Sequence, residues 1–241
     1  MSTPAQKIQM KKSPRAQWRS LPTYTPIFKD KGNMKFFIAD LKQRGWLNEL
    51  GDGFTTPFTP FTYLISQGHY DLAEELLKVE AVTPNAGIQE NSDELHNPLA
   101  RFVNDGNKKW VTTLVERGMN VNAKVWCMGR IIRLAAKTDE EDSDDIFEFL
   151  LNHGVDLNLR IYKNGDLFAY LAKRRVKLQS RIHILNRFLF QNKDTVGLQK
   201  LDDALSQFPH GGSDLDDDSD CESDFEKDDD EPPAKRARKE G

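Results

Sequence analysis

Three serines in the C-terminal stretch each stand three residues ahead of an acid: Ser213-Asp214-Leu215-Asp216, Ser219-Asp220-Cys221-Glu222 and Ser223-Asp224-Phe225-Glu226. That spacing resembles the preference of acidophilic, casein-kinase-type protein kinases, and each phosphate accepted would add about −1.5 to −2 charges. Asp214, Asp216 and Asp218 alternate as in a calcium loop. The sixth position is Ser219 rather than glycine, however, and the twelfth is Phe225 rather than a bidentate glutamate, which argues against calcium. Elsewhere the chemistry is sparse. His69, His96, His153, His183 and His210 are scattered, without metal-ligand spacing. The chain has neither a phosphate-cradling Gly-x-x-x-x-Gly-Lys loop nor a Gly-x-Ser-x-Gly elbow. Cys127 has no paired histidine in sequence, and with the distant Cys221 it suggests a reducing compartment rather than a disulfide framework. The expectation is a protein with no catalytic residues, metal or cofactor.

A second cluster follows the serines. Pro232-Pro233-Ala234-Lys235-Arg236-Ala237-Arg238-Lys239 resembles a proline-led monopartite nuclear localisation signal. In extended form, which the prolines favour, Lys235, Arg236, Arg238 and Lys239 would place successive cations in the groove of an importin-α-type receptor. The overall charge of −4 conceals this segregation. Residues 1–20 carry net +5, residues 213–231 net −11 and residues 235–240 net +3, leaving the remainder at −1. Residues 213–231 are almost devoid of apolar side chains and are expected to be disordered, since they cannot offset the entropy of ordering. No apolar run reaches membrane-spanning length and the N-terminus lacks a signal-peptide-like stretch, so membrane insertion is not expected. The near-neutral middle and the acidic tail also argue against direct nucleic-acid binding.

The elements that must position any site repeat along the chain. Apolar pairs fall at Leu76-Leu77, Leu114-Val115, Leu150-Leu151 and Phe188-Leu189, in steps of 38, 36 and 38 residues. Helix openings read Thr59-Pro60-Phe61-Thr62 and Asn97-Pro98-Leu99-Ala100. Mid-unit turns read Gly68-His69 and Gly106-Asn107, and unit ends Gly118-Met119-Asn120-Val121-Asn122 and Gly154-Val155-Asp156-Leu157-Asn158. Thr59 is predicted to cap a helix with Pro60 at its first position. Gly68, Gly106, Gly118 and Gly154 suit reversals with positive φ. Leu72, Ala73, Leu76 and Leu77 form one apolar stripe, as do Trp110, Val111, Leu114 and Val115; Ile146, Phe149 and Leu150 follow a predicted Ser143 cap.

These landmarks resemble the ankyrin repeat, with extra residues at 86–96, 138–142 and 176–180. The resemblance implies an all-α solenoid of about four to five helix–turn–helix units. The last is degraded, with Gly165 to Ala172 and Ile182 to Phe190 as its helices. Leu198, Leu201, Leu205 and Phe208 would form one face of a C-terminal capping helix. A shortened first unit would run from Thr25-Pro26-Ile27-Phe28 through a turn at Gly32-Asn33 to Gly45. Residues 1–20 then form a basic disordered arm, 21–210 the repeat domain and 211–241 a disordered acidic tail ending in the basic segment.

A stack of repeats offers an extended surface rather than a pocket. The resemblance implies partner contacts at finger tips, here Trp126, Met128, Arg160 and Tyr162, and along inner helices, here Tyr63, Gln67, Arg101, Asn104 and Arg133. Trp126 either anchors a partner or folds beneath its neighbour as core. Two functions fit. One is a non-enzymatic scaffold or adaptor acting in a nucleus, similar to the ankyrin effectors that intracellular bacteria secrete into host cells. The other is a nuclear regulator of a eukaryotic cell that touches chromatin or nucleic acid through its basic termini.

Overall fold

The computed structural model describes residues 31–48, 58–86, 88, 97–125, 129–161 and 165–211, with the backbone course alone for 31–37. These residues are mostly helical. In chain order they form α1 (Lys31–Arg44), α2 (Pro60–Ser66), α3 (Tyr70–Leu77), α4 (Pro98–Asn104), α5 (Lys108–Glu116), β1 (Lys124–Val125), β2 (Gly129–Arg130), α6 (Ile131–Lys137), α7 (Ser143–Asn152), α8 (Leu167–Lys173), α9 (Gln179–Gln191) and α10 (Thr195–Gln207).

Local chemistry accounts for the helix boundaries. Thr59 and Thr62 build a reciprocal capping box: the Thr62 N–H donates to Thr59 Oγ1 at 3.2 Å, and the Thr59 N–H to Thr62 Oγ1 at 2.9 Å. Pro60 occupies the first turn, where its missing N–H costs nothing. Asn97 repeats the arrangement before Pro98, accepting from the Ala100 N–H at 3.2 Å. Gly68, Gly106, Gly118 and Gly154 take φ of 75°, 62°, 83° and 86°, as expected of chain reversals. Two local expectations fail. Gly32 and Asn33 lie inside α1 rather than in a turn. Ser143 is not a cap but the first residue of α7, where its buried hydroxyl donates to the Glu140 carbonyl. The proposed opening of the first unit, Thr25 to Phe28, lies outside the described residues.

The helices pack in two rows. In one, α2, α4, α6, α8 and α10 touch in succession; in the other, α1 meets α3, and α7 lies between α5 and α9. Leu72, Ala73, Leu76 and Leu77 are buried as a stripe, and so are Trp110, Val111 and Leu114, with Val115 half-buried. On α7 the buried stripe is Ile146, Phe147, Leu150 and Leu151. Phe149, expected there, is only half-buried and lies 3.9 Å from the His153 ring. The inward face is shifted toward Phe147 and Leu151 and away from Phe149, because neighbours rather than spacing alone choose it. At the C-terminal end α10 covers α8 and α9 through Leu201 and Ala204, with Leu198, Leu205 and Phe208 half-buried against them.

Polar groups tie successive pairs together. Asn48, Asn85 and Asn122 stand 37 residues apart. Their Nδ2 atoms donate to the carbonyls of Ala81, Gly118 and Gly154 at 2.8, 2.5 and 3.0 Å. Their Oδ1 atoms accept from the N–H groups of Thr83, Asn120 and Asp156 at 2.8, 3.2 and 2.9 Å. Each asparagine thus satisfies both backbone groups of the next connecting segment, which otherwise has no ladder partner. At Asn158 the series stops, and its Oδ1 accepts instead from Lys200 Nζ of α10 at 2.6 Å. Arg181 fastens a different joint. Its buried guanidinium on α9 donates to the carbonyls of Ala135 (3.4 Å) and Thr138 (3.0 Å) at the end of α6, and pairs with Asp144 on α7. Burial presses its pKa below the ordinary arginine range.

Asn122→Ala removes a donor and an acceptor together and should lower unfolding free energy by about 1–3 kcal/mol, at roughly 0.5–1.5 per hydrogen bond. Urea denaturation followed by circular dichroism measures it. Asn122→Asp keeps the acceptor and should lose about half as much.

Candidate partner-binding site

The predicted fingers begin as backbone ladders. Lys124 pairs with Arg130 and Val125 with Gly129 in a two-rung antiparallel hairpin. The Ile161 N–H donates to the Gly165 carbonyl at 3.0 Å, closing the base of the second finger, and the Arg130 N–H donates to the Ile161 carbonyl at 3.2 Å, joining the two. Gly129 is required at this junction. Its φ is +78°, and a Cβ there would collide with the Ile161 carbonyl oxygen. Trp126, Met128 and Tyr162, together with Cys127, lie outside the described residues.

Arg160, placed by the sequence at a finger tip, is exposed at the base of the second finger. Beside it stands Arg130, which sequence reasoning passed over. Its Nη1 donates to the Asn122 carbonyl at 2.8 Å and its Nε to the Arg160 carbonyl at 3.4 Å. A Gly-Arg pair directly after a finger was the available signal, because a long cation can bridge the finger bases on either side of it.

Along the α2–α4–α6–α8 row the expected contacts divide. Gln67 and Asn104 are exposed. Tyr63 is half-buried, edge-on to Phe58 at 6.3 Å. Arg101 is half-buried too, 3.7 Å from Asp105, with its guanidinium 5.9 Å from the Tyr70 ring. Tyr70 in turn lies against Phe102 and Trp110, which stack at 4.8 Å. Arg133 does not meet its expectation. It is 3 % exposed, 5.4 Å from the Tyr170 ring, whose other cation is Arg174 at 4.6 Å. The cause is the position of α6: α4, α7, α8 and β2 all touch it, and every residue from Ile131 to Ala136 is buried. Tyr63, Gln67, Arg101 and Asn104 therefore share one helix row with exposed or half-exposed polar groups, while Arg133 belongs to the interior.

The outer row has another character. Glu74 pairs with Lys109 at 3.1 Å, Lys108 with Asp145 at 2.5 Å and Glu148 with Arg187 at 2.6 Å, each between neighbouring helix pairs. The hydrogen bond to Asp145 holds the Lys108 ammonium above the usual lysine range. Such exposed pairs add little individually, but they engage three cations and three acids of that face. Among the described residues no group of three or more His, Cys, Asp or Glu side chains could hold a metal. No described helix is long and apolar enough to cross a membrane. The serines Ser213, Ser219 and Ser223 and the cations Lys235, Arg236, Arg238 and Lys239 lie outside the described residues.

Arg133→Ala should cost about 1–3 kcal/mol of stability through lost packing and a lost cation–π contact. Gln67→Ala, at an exposed site, should stay within about 0.5 kcal/mol of the parent. Parallel urea titrations of the two variants check the contrast. A comparison with protein-family models finds no match to this chain, and a comparison with curated proteins finds none either.

Proposed function

We propose that this chain is a non-enzymatic protein–protein interaction scaffold built from ankyrin-type repeats and acting in a nucleus. The observation that carries it is the coincidence of two series. Asparagines 37 residues apart make the same pair of bonds to the next connecting segment. The glycine turns and apolar stripes recur at nearly the same period. Such a stack binds by surface rather than by pocket. The finger bases align side by side through Arg130 and Ile161, which favours a partner gripped by adjacent finger tips. Trp126, Met128, Arg160 and Tyr162 would supply the aromatic and arginine contacts that protein interfaces concentrate. Tyr63, Gln67, Arg101 and Asn104 would extend the surface along the inner helices.

The tail supplies the address. Lys235, Arg236, Arg238 and Lys239 engage an importin-α-type receptor, and Ser213, Ser219 and Ser223 accept phosphate from an acidophilic kinase beside that signal. A chain of this design serves equally as a secreted bacterial effector in a host nucleus.

Two experiments test the reading. The full chain immobilised on beads should retain a discrete protein from nuclear extract, and Trp126→Ala with Arg160→Ala should reduce retention about tenfold or more, the loss of one interface anchor pair. Equal retention by the variant would remove the fingers from the binding surface. Separately, Lys235→Ala with Arg236→Ala should move a fluorescent fusion from nucleus to cytoplasm, and an unchanged nuclear signal would overturn the address.

A further inference from the structure

The turn between α8 and α9 reads Lys173-Arg174-Arg175-Val176-Lys177, four cations in five residues. Its charges are used differently from those of the outer row. Lys108, Lys109, Arg181 and Arg187 each face a carboxylate on a neighbouring helix. Lys173, Arg174 and Arg175 form no ion pair among the described residues. Instead Lys173 Nζ stands 5.7 Å from the Phe208 ring, Arg174 lies on Tyr170, and Arg175 Nη1 donates to the Pro209 carbonyl at 3.3 Å. Arg175 and Lys177 are exposed, and Val176 between them is 80 % exposed.

The same contacts fix where the chain leaves the domain. Gly211, the last described residue, is seated against the turn: a Cβ at Gly211 would lie 3.3 Å from the Lys173 carbonyl oxygen and 4.0 Å from Val176 Cγ2. Three residues further on stands Asp214, the first of twelve acids in residues 213–231, which carry net −11. Three extended residues span about 10 Å. The strongest concentration of negative charge in the protein is therefore tethered at the edge of a turn whose Lys173, Arg174 and Arg175 face no carboxylate among the described residues.

We propose that residues 213–231 dock on the Lys173–Lys177 turn of their own chain. Single exposed ion pairs are weak. Here several act together, and a short tether holds the acids at an effective concentration of order millimolar. Two other cationic stretches compete for the same acids. Residues 1–20 lack this short tether to the acids. The Lys235–Lys239 run is adjacent in sequence, but Pro232-Pro233 between it and the acids favours an extended course. Docking on the turn thus leaves the terminal cations open to a receptor while shielding the acids.

A nitroxide on Cys221 of the Cys127→Ser chain tests this through amide line broadening. At about 50 mM salt the amides of residues 174–177 should lose more than half their intensity, and they should recover at about 500 mM, where the Debye length is a few ångströms. Tenfold dilution should change nothing. Arg175→Glu with Lys177→Glu should restore the lost intensities, and if that variant does not fold, the salt series on the parent turn decides. Broadening confined to residues 1–20 or 235–239, uniform broadening, none at all, or a signal that vanishes on dilution would each overturn the proposal. None of these outcomes depends on whether the finger surface binds a partner.

Discussion

Each described helix pair carries an apolar face that a neighbouring element covers. The seven-residue α4 buries Leu99, Ala100, Phe102 and Val103, and the seven-residue α6 buries six residues in succession. Helices this short do not persist alone in water. They hold because each buried aliphatic or aromatic side chain contributes about 1.5–3 kcal/mol when a neighbour excludes water from it. The asparagine bridges depend on the same arrangement. Asn85 reaches Gly118 and Asn120 only when adjacent pairs are already stacked in register, and once there it satisfies backbone groups that have no ladder of their own.

Stacking sorts the charges as well. Acids and cations on the outer helices meet across pair boundaries because packing brings together side chains 35 to 39 residues apart: Glu74 with Lys109, Lys108 with Asp145, Glu148 with Arg187. Arg181 goes deeper and closes the end of α6, spending its charge on Thr138, Ala135 and Asp144. After the turn between α8 and α9 and the helix α9, the single helix α10 is the last described element. At that turn Lys173 and Arg175 meet the end of α10 through an aromatic ring and a carbonyl. Phe190 and Val196 remain 74 % and 66 % exposed near the same end, so α10 covers the stack without enclosing it.

Local features were legible in the chain. The Thr59–Pro60 opening, the four glycine turns and the stripes on α3 and α5 depend on interactions within about four residues, which sequence spacing records directly. The misjudged positions share one physical cause. Phe147 and Phe149 are both compatible with a helical stripe, and the choice between them rests on how α7 is rotated against α5, α6 and α9. Arg133 reads as a solvent-facing cation until α4, α7, α8 and β2 are placed around it. Gly32-Asn33 has the composition of a turn, yet both residues lie in α1.

Residue order alone determined the spacing of the apolar pairs, the glycine turns at 68, 106, 118 and 154, the Thr59 cap and the segregation of charge into the termini around a near-neutral middle, because each follows from residue type and spacing. Tertiary structure decided which cations are neutralised, which side of each helix is interior and where the chain leaves the domain. Those outcomes depend on neighbours 30 to 40 residues away, whose approach is governed by packing and by hydrogen bonds such as those of Asn48, Asn85 and Asn122. Spacing can announce a second unit, but only contact with it tells Arg133 from Arg160.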